Sequence, residues 1–152
     1  MPAQQLKSFL DNHHVKYNTI SHSPEYTAER TAQSAHIPGK ELAKTVIVKV
    51  DGEFAMAVLP ASKHVSLSRL KKATGAENAE IASEAEFERL FPDCELGAMP
   101  PFGNLYDMGV YVAEQLSEDD EIAFNAGSHT ELVQLAYSDF DKLVHPKVVA
   151  LS

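Results

Sequence analysis

The sequence predicts one α+β domain in which a mixed, largely antiparallel sheet is flanked by helices. Short β-branched segments are interspersed with amphipathic segments of helical period, and neighbouring strand segments are joined by hairpin turns. The strongest local signal is Asp51-Gly52, which lies between two apolar segments and is typical of a tight hairpin. No glycine-rich phosphate loop follows the first strand, which argues against a nucleotide-binding Rossmann fold.

The first elements follow from apolar spacing and helix breakers. An apolar row at helical spacing predicts a helix over residues 4–13, and residues 15–21 are typical of a short strand. Thr27 can cap a second helix that runs to about residue 36, since Pro38-Gly39 ends it.

The central segment is predicted to contain the hairpin and a basic helix. Residues 45–50 would be its outgoing strand and 53–59 its return strand. A helix over residues 66–74 would turn Leu67 and Leu70 inward and leave its cationic side chains mostly in water.

The C-terminal elements rest on capping and strand patterns. Ser83 and Glu86 have capping-box spacing, which predicts the start of another helix. The remaining predictions are strands at 110–112, 121–126 and 131–136, a turn at Gly127-Ser128, and a last helix capped by Ser138 that ends at 143.

Composition is that of one globular domain covering residues 1–152, with 44% hydrophobic and 23% charged residues. The only cysteine, Cys94, excludes an internal disulfide, and no apolar run is long enough to span a bilayer. We therefore expect a cytoplasmic protein that does not interact with membranes.

A basic spot stands out on an acidic chain. The net charge of −9 argues against extended wrapping by nucleic acid, yet residues 62–75 contain no acidic residue. One interpretation is local contact with a polyanion, and the other is an ordinary solvated helix face. The basic spot comprises Lys63, Arg69, Lys71 and Lys72.

Lys44 is the first candidate site residue. Side chains alternate along a strand, so Lys44 shares a face with the row formed by Val46, Val48 and Val50. If that row faces the interior, Lys44 needs an acceptor or a ligand, because an unpaired buried charge is costly. The alternative is a lysine that extends to solvent from the end of a strand.

Two further motifs could contribute to a pocket. In residues 97–103, glycine and two prolines would hold the N–H groups of Gly97, Ala98 and Met99 in fixed directions, as an oxyanion site requires. The alternative is a rigid surface loop. In residues 124–129, Asn125 can donate and accept hydrogen bonds, while Gly127 lets backbone approach a ligand.

Other site chemistries find little support. The seven histidines show no metal-ligand spacing, so neither a metal nor another cofactor is expected. His129 could titrate near neutral pH, although an ordinary turn histidine is the simpler interpretation. No serine lies in a nucleophile elbow, and Cys94 has no evident partner.

Taken in order, three motifs resemble the YbaK/prolyl-tRNA-synthetase-associated domain family. They are residues 43–46 (AKTV), 97–103 (GAMPPFG) and 122–127 (IAFNAG), and the resemblance covers nearly the whole chain. It implies a barrel-like mixed sheet with flanking helices around a cavity, and hydrolysis of the ester that links a wrong amino acid to a tRNA 3′ end. The absence of an attached synthetase suggests a free-standing member, with a synthetase as a possible partner.

The resemblance also implies roles for individual residues. Lys44 takes the place of the family's essential lysine, Gly97 and Pro101 take the ends of its Gly-x-x-x-Pro loop, and Asn125 and Gly127 take the amino-acid side of the pocket. Some members carry Gly-Gly or Phe-His at these motifs, so this sequence leaves the amino acid open. The expected catalytic set is Lys44, Gly97, Ala98, Met99 and Pro101, and the expected substrate-binding set is Thr45, Phe102, Asn125, Gly127 and His129.

The chemistry of lysine limits its role in that reaction. A lysine is ordinarily cationic at neutral pH and a poor general base, so Lys44 is expected to hold the tRNA 3′ end. Water would then be activated by the ribose hydroxyl or amine of the aminoacyl-tRNA, with the basic spot contacting its acceptor end. The alternatives are a non-catalytic RNA- or oligonucleotide-binding module, which would depend on the basic spot, and a regulatory protein that binds a small molecule.

Overall fold

The computed structural model describes residues 4–21, 40–95 and 97–152, so the helix predicted after Thr27 lies outside the described residues. The helices are α1 Gln4–Asn12, α2 Leu67–Thr74, α3 Glu84–Phe87, α4 Glu114–Ser117 and α5 Tyr137–Val144. The strands are β1 Tyr17–Ser21, β2 Leu42–Val50, β3 Glu53–Pro60, β4 Ala79–Ile81, β5 Gly109–Ala113, β6 Glu121–Ser128, β7 Glu131–Ala136 and β8 Lys147–Val149.

The described strands form one mixed sheet in the order β1-β7-β6-β2-β3-β5-β8, with β4 also paired to β2. The longest pairings, β2 with β3 and β6 with β7, are antiparallel, whereas β2–β6, β3–β5 and β5–β8 are parallel. The sheet curls as a half-barrel with helices at its flanks, which confirms the predicted fold class.

The predicted hairpin is present. Asp51 and Gly52 have φ angles of 50° and 85°, as a tight turn between β2 and β3 requires. The carboxylate of Asp51 also accepts hydrogen bonds from the backbone N–H groups of Glu77 and Asn78, at 3.1 and 2.9 Å. This turn therefore anchors the segment that leads into β4.

The sheet has two covered faces, and α2 covers the one that carries Lys44. Val48 and Leu59 lie on that face and pack with Leu70 of α2. Ser66 caps the helix, because its hydroxyl accepts from the N–H of Arg69 at 3.3 Å. The opposite face packs on the main core, where rings and aliphatic side chains meet, among them Ile47, Val58, Phe102, Phe124 and Phe140.

Two predictions near the C-terminus are wrong. Gly127 and Ser128 belong to β6, with an irregularity in register between Asn125 and Ser128, so the turn falls at His129-Thr130. Helix α5 begins at Tyr137, so Ala136 and not Ser138 is its N-cap.

Among the described residues, no helix combines the length and apolar character needed to cross a membrane.

Candidate functional site

The sheet opens beside β2, because two strands share one of its edges. β6 pairs with Leu42 and Ala43 at the start of β2, and β4 pairs with Val48 to Val50 at its end. β3 occupies the opposite edge throughout. The stretch that begins at Lys44 therefore borders the place where β6 diverges from β2, and we call this place the opening.

Lys44 and Asn125 directly follow the last paired residues of β2 and β6, at the start of the opening. The last parallel pair of β2 and β6 is Ala43 with Phe124, so Lys44 and Asn125 take the next position on each strand. Residues in register on parallel strands point to the same face. Lys44 is half-buried and pairs across β2–β3 with the buried Leu59, so it is an interior-facing lysine at the edge of the core.

The segment that precedes the two prolines is bonded to β6. The N–H of Glu95 donates to the carbonyl of Gly127 at 2.7 Å, and the N–H of Gly127 donates to the carbonyl of Ala98 at 2.9 Å. These two bonds resemble the pairing of one more short strand. The second and third motifs of the sequence are therefore in direct contact, two residues beyond Asn125.

Gly97 packs against the ring of His129. A Cβ built on Gly97 would lie 3.5 Å from Cε1 and 3.8 Å from Nε2 of that ring, which is ordinary van der Waals contact. The φ angle of Gly97 is +83°, a conformation that other residues adopt only with strain. Glycine is required here by backbone conformation more than by lack of space, and the 7% exposed imidazole of His129 forms the wall behind it.

Residues 98–103 are buried, so this loop is not the rigid surface loop that was the alternative interpretation. Phe102 is fully buried and its ring lies 5.5 Å from that of Phe124 and 5.6 Å from that of Phe140, measured between centroids. A Cβ on Gly103 would come within 2.4 Å of the carbonyl oxygen of Met108, so only glycine fits. Phe102 therefore belongs to the core that holds the loop in place.

One of the three expected oxyanion donors is already engaged. The N–H of Ala98 donates to the carbonyl of Glu95 at 3.1 Å and closes a turn. Its carbonyl accepts from Gly127, so both polar groups of the Ala98 backbone serve the loop itself. Of the three expected donors, the N–H groups of Gly97 and Met99 remain candidates for stabilising an oxyanion.

Two buried oxygen atoms near the start of the opening, on opposite faces of the sheet, have no hydrogen-bond partner among the described residues. They are Oγ1 of Thr45 on β2 and Oδ1 of Asn125 on β6. A buried polar atom without a partner is costly, and such atoms in a native fold call for an explanation, such as a ligand or a bound water. Both residues belong to the expected substrate-binding set.

The basic spot is centred on α2, the helix that covers the sheet face of Lys44. Lys63 follows the end of β3, where its N–H donates to the carbonyl of Pro60 at 2.9 Å, and Pro60 pairs with Ala43 next to Lys44. Arg69, Lys71 and Lys72 are exposed on α2, as predicted. Arg69 and Lys72 also line a shallow depression of about 460 Å³ together with Ala150.

Among the described residues, no cluster of side chains is suited to hold a metal ion. Burial raises the pKa of the Cys94 thiol to about 11, which disfavours a reactive thiolate. The thiol lies 3.4 Å from the hydroxyl of Tyr106.

Sequence reasoning missed the bonds from Glu95 and Ala98 to Gly127, since backbone pairing leaves no residue-specific signal.

Comparisons with known proteins show which proteins this chain is similar to. The family model described as "Aminoacyl-tRNA editing domain" matches residues 22–143. A curated relative from Escherichia coli strain K12, named multifunctional Ser/Thr-tRNA deacylase ProXp-y, is 30% identical over 96% of this chain and 90% of its own length. A proline–tRNA ligase of Staphylococcus saprophyticus is 33% identical over 57% of this chain, which corresponds to 15% of the ligase.

The fold is similar to that of a solved structure titled a putative trans-editing enzyme for prolyl tRNA synthetase. The TM-score is 0.83 with 18% identity, over 99% of this chain and 96% of the other. The family match covers most of the chain, and the three motifs that carry the resemblance meet at or beside one opening in the sheet. The chain is therefore a member of the aminoacyl-tRNA editing domain family.

Proposed function

We propose that this protein is a trans-acting aminoacyl-tRNA deacylase, a hydrolase that cleaves the ester between a small amino acid and the 3′ end of a mischarged tRNA. The observation that carries the proposal is the register of β2 and β6, which sets Lys44 beside Asn125 where the two strands diverge. The loop that contains Gly97 is hydrogen-bonded to the same strand, through Gly127. A cation, a polar side chain and a loop with backbone donors would thus border one opening.

Lys44 would bind the tRNA end and support the reaction electrostatically. Its ammonium group can hold a phosphate or ribose oxygen, and its position beside buried residues strengthens that attraction relative to bulk water. The proton transfers would be left to the ribose hydroxyl or the amine of the substrate. An aminoacyl ester is already reactive, so positioning and charge stabilisation are sufficient to accelerate its hydrolysis.

The remaining backbone donors would stabilise the tetrahedral intermediate. Gly97 and Met99 contribute N–H groups from a loop held by buried prolines and by β6. Loss of one such donor typically raises the barrier by about 2.7–4 kcal/mol. Pro101 contributes by stiffening the loop.

The amino acid would carry a side-chain hydroxyl. Asn125, on the face that carries Lys44, presents a buried oxygen atom that a substrate hydroxyl could satisfy as a hydrogen-bond donor. Sites built to bond a substrate hydroxyl discriminate strongly against analogues that lack it. The name of the Escherichia coli relative also mentions seryl and threonyl tRNA, so serine and threonine are the first candidates.

The basic spot would contact the RNA near its acceptor end. Three of its cations are exposed on α2, which covers the sheet face that carries Lys44, and the rest of the chain has a net negative charge, so RNA would be directed to this side. Similarity to a segment of a proline–tRNA ligase makes tRNA(Pro) or a related tRNA the first candidate, and such a synthetase a candidate partner.

The test is deacylation of tRNAs charged with serine, threonine, alanine or cysteine, by wild type, Lys44→Ala and Lys49→Ala. We expect Lys44→Ala to lower kcat/KM about 100-fold or more, in line with the removal of a transition-state charge interaction. Lys49 is the matched control, since it lies on the same strand, on the opposite face, in ion pairs with Glu86 and Glu80. Turnover by Lys44→Ala at the wild-type rate would contradict the site assignment.

The exposed basic spot also favours the rival function, a non-catalytic RNA-binding module. That protein would bind tRNA without turning it over and would tolerate Lys44→Ala. A double variant, Lys71→Ala with Lys72→Ala, would abolish its binding. A regulator that binds a small molecule would instead tolerate loss of the basic spot, so the same set of variants separates the three functions.

A further inference from the structure

We infer that His129 is a positioning residue, which holds Gly97 and its backbone N–H in the orientation the reaction needs. The inference rests on the proposed function and gives His129 a role other than the substrate binding expected from the sequence. His129 is buried, with 7% of its surface exposed, and the edge of its ring that carries Cε1 and Nε2 faces Gly97. The imidazole thus occupies the region toward which a side chain at position 97 would point.

Gly97 needs such a support because a glycine backbone can change its φ and ψ angles easily. With a φ angle of +83°, it lies in a region that glycine enters and leaves at little cost. The chain on its far side is fixed, because the carbonyl of Ala98 accepts from Gly127 and the buried prolines follow. The ring of His129 supplies a wall at Gly97, where neither proline nor a described backbone bond acts.

The support comes from the strand that also carries Asn125. The register of β6 shifts between Asn125 and Ser128, and Gly127 in that interval bonds to both Glu95 and Ala98. His129 follows directly in the turn to β7. Asn125, the bonds of Gly127 and the ring of His129 therefore belong to one short, buried segment, so the amino-acid side and the oxyanion side of the opening are held as one unit.

The experiment compares His129→Ala, His129→Phe and the neighbouring exposed control Thr130→Ala. We expect His129→Ala to lower kcat for deacylation about tenfold or more with less than about a twofold change in KM, because the RNA contacts lie elsewhere. His129→Phe keeps a flat ring and should restore most of kcat, with a pH profile parallel to that of wild type. Thr130→Ala should resemble wild type, since Thr130 is exposed and its hydroxyl bonds to Ser128 of β6.

Two kinetic outcomes would overturn the inference. Wild-type kcat in His129→Ala would show that the ring is dispensable. A phenylalanine variant as slow as the alanine variant, with one limb of the pH profile lost, would show that the imidazole itself transfers a proton.

A second readout does not require activity. Amide hydrogen exchange over residues 95–103 should be faster in His129→Ala and unchanged in His129→Phe, and equal exchange in all variants would contradict the positioning role. If the wild type turned over no aminoacyl-tRNA, the proposed function would fail, while the exchange result would still decide whether His129 holds the loop. Circular dichroism at the assay temperature identifies a variant that has not folded, and the phenylalanine variant then carries the comparison.

Discussion

The N–H of Gly127 donates to the carbonyl of Ala98 at 2.9 Å, and this bond ties the loop before the two prolines to the strand that carries Asn125. Its partner bond runs in the other direction, from the N–H of Glu95 to the carbonyl of Gly127, at 2.7 Å. A single residue thus contributes both its donor and its acceptor to the loop. The geometry of the opening consequently depends on the backbone of Gly127.

A substitution at Gly127 should separate stability from activity. The φ angle of Gly127 is 94°, so Gly127→Ala should cost about 1–2 kcal/mol of unfolding free energy and tilt both bonds to the loop. Gly52→Ala is the matched control, with a φ of 85° in an exposed hairpin turn. Urea denaturation should show similar losses for the two variants, whereas only Gly127→Ala should lose deacylase activity. Equal activity in both would mean that the loop tolerates displacement.

Asn125 should determine selectivity for a hydroxyl group. If Oδ1 accepts from the substrate, Asn125→Ala removes one hydrogen bond and should lower kcat/KM for seryl- and threonyl-tRNA about tenfold relative to alanyl-tRNA. The measurement is the ratio of rates on matched tRNAs. The exposed Asn104 offers a control substitution. An unchanged ratio in Asn125→Ala would exclude recognition of the hydroxyl by this side chain.

Salt dependence should report how the basic spot binds RNA. Replacing Arg69 and Lys72 by glutamine should weaken tRNA binding and reduce the slope of log affinity against log salt by about 0.7–0.9 for each phosphate that is no longer neutralised. Arg89→Gln is the control, since Arg89 is exposed outside the basic spot. A slope that falls equally in the control would indicate a general charge effect, and the assignment of the RNA surface to α2 would be wrong.

The ion pair of Lys49 with Glu86 should make the stability of the fold more sensitive to acid. The hydrogen bond from Lys49, at 2.6 Å, together with those from Ser83, lowers the pKa of Glu86 to about 2. A carboxylate whose folded-state pKa is depressed stabilises the fold above its unfolded pKa, and that contribution is lost as the pH falls toward the folded value.

This stabilisation should appear in thermal melting between pH 5 and 2. We expect Tm to fall less steeply with acid in Lys49→Gln than in wild type over the interval from about pH 4.5 to 2, since the substitution removes the largest cause of the lowered pKa of Glu86. Glu80→Gln, at the weaker contact of 3.5 Å, should change the slope less. Parallel curves for wild type and Lys49→Gln would show that the pair does not stabilise the fold in solution.

Local patterns in the chain were sufficient for most of the described elements. The hairpin at Asp51-Gly52, the helix that ends at Thr74 and the capping box at Ser83 are each determined by residues within a few positions of one another, so the sequence predicts them correctly. The short elements β4, α4 and β8 were not predicted. Three- and four-residue elements are stabilised by the neighbours they pack on, and so they carry little periodic signal of their own.

The candidate site also has some features that the sequence predicts and others that depend on tertiary structure. The chain itself indicates Lys44, Gly97 and Asn125 as candidates, because the order and spacing of the three motifs depend on residue type. Tertiary structure alone decides that Gly127 continues a strand instead of making a turn, that Phe102 belongs to the core and that His129 packs on Gly97. Those facts depend on which strand edges meet and on backbone bonds that any residue can make, so no pattern within the chain could specify them.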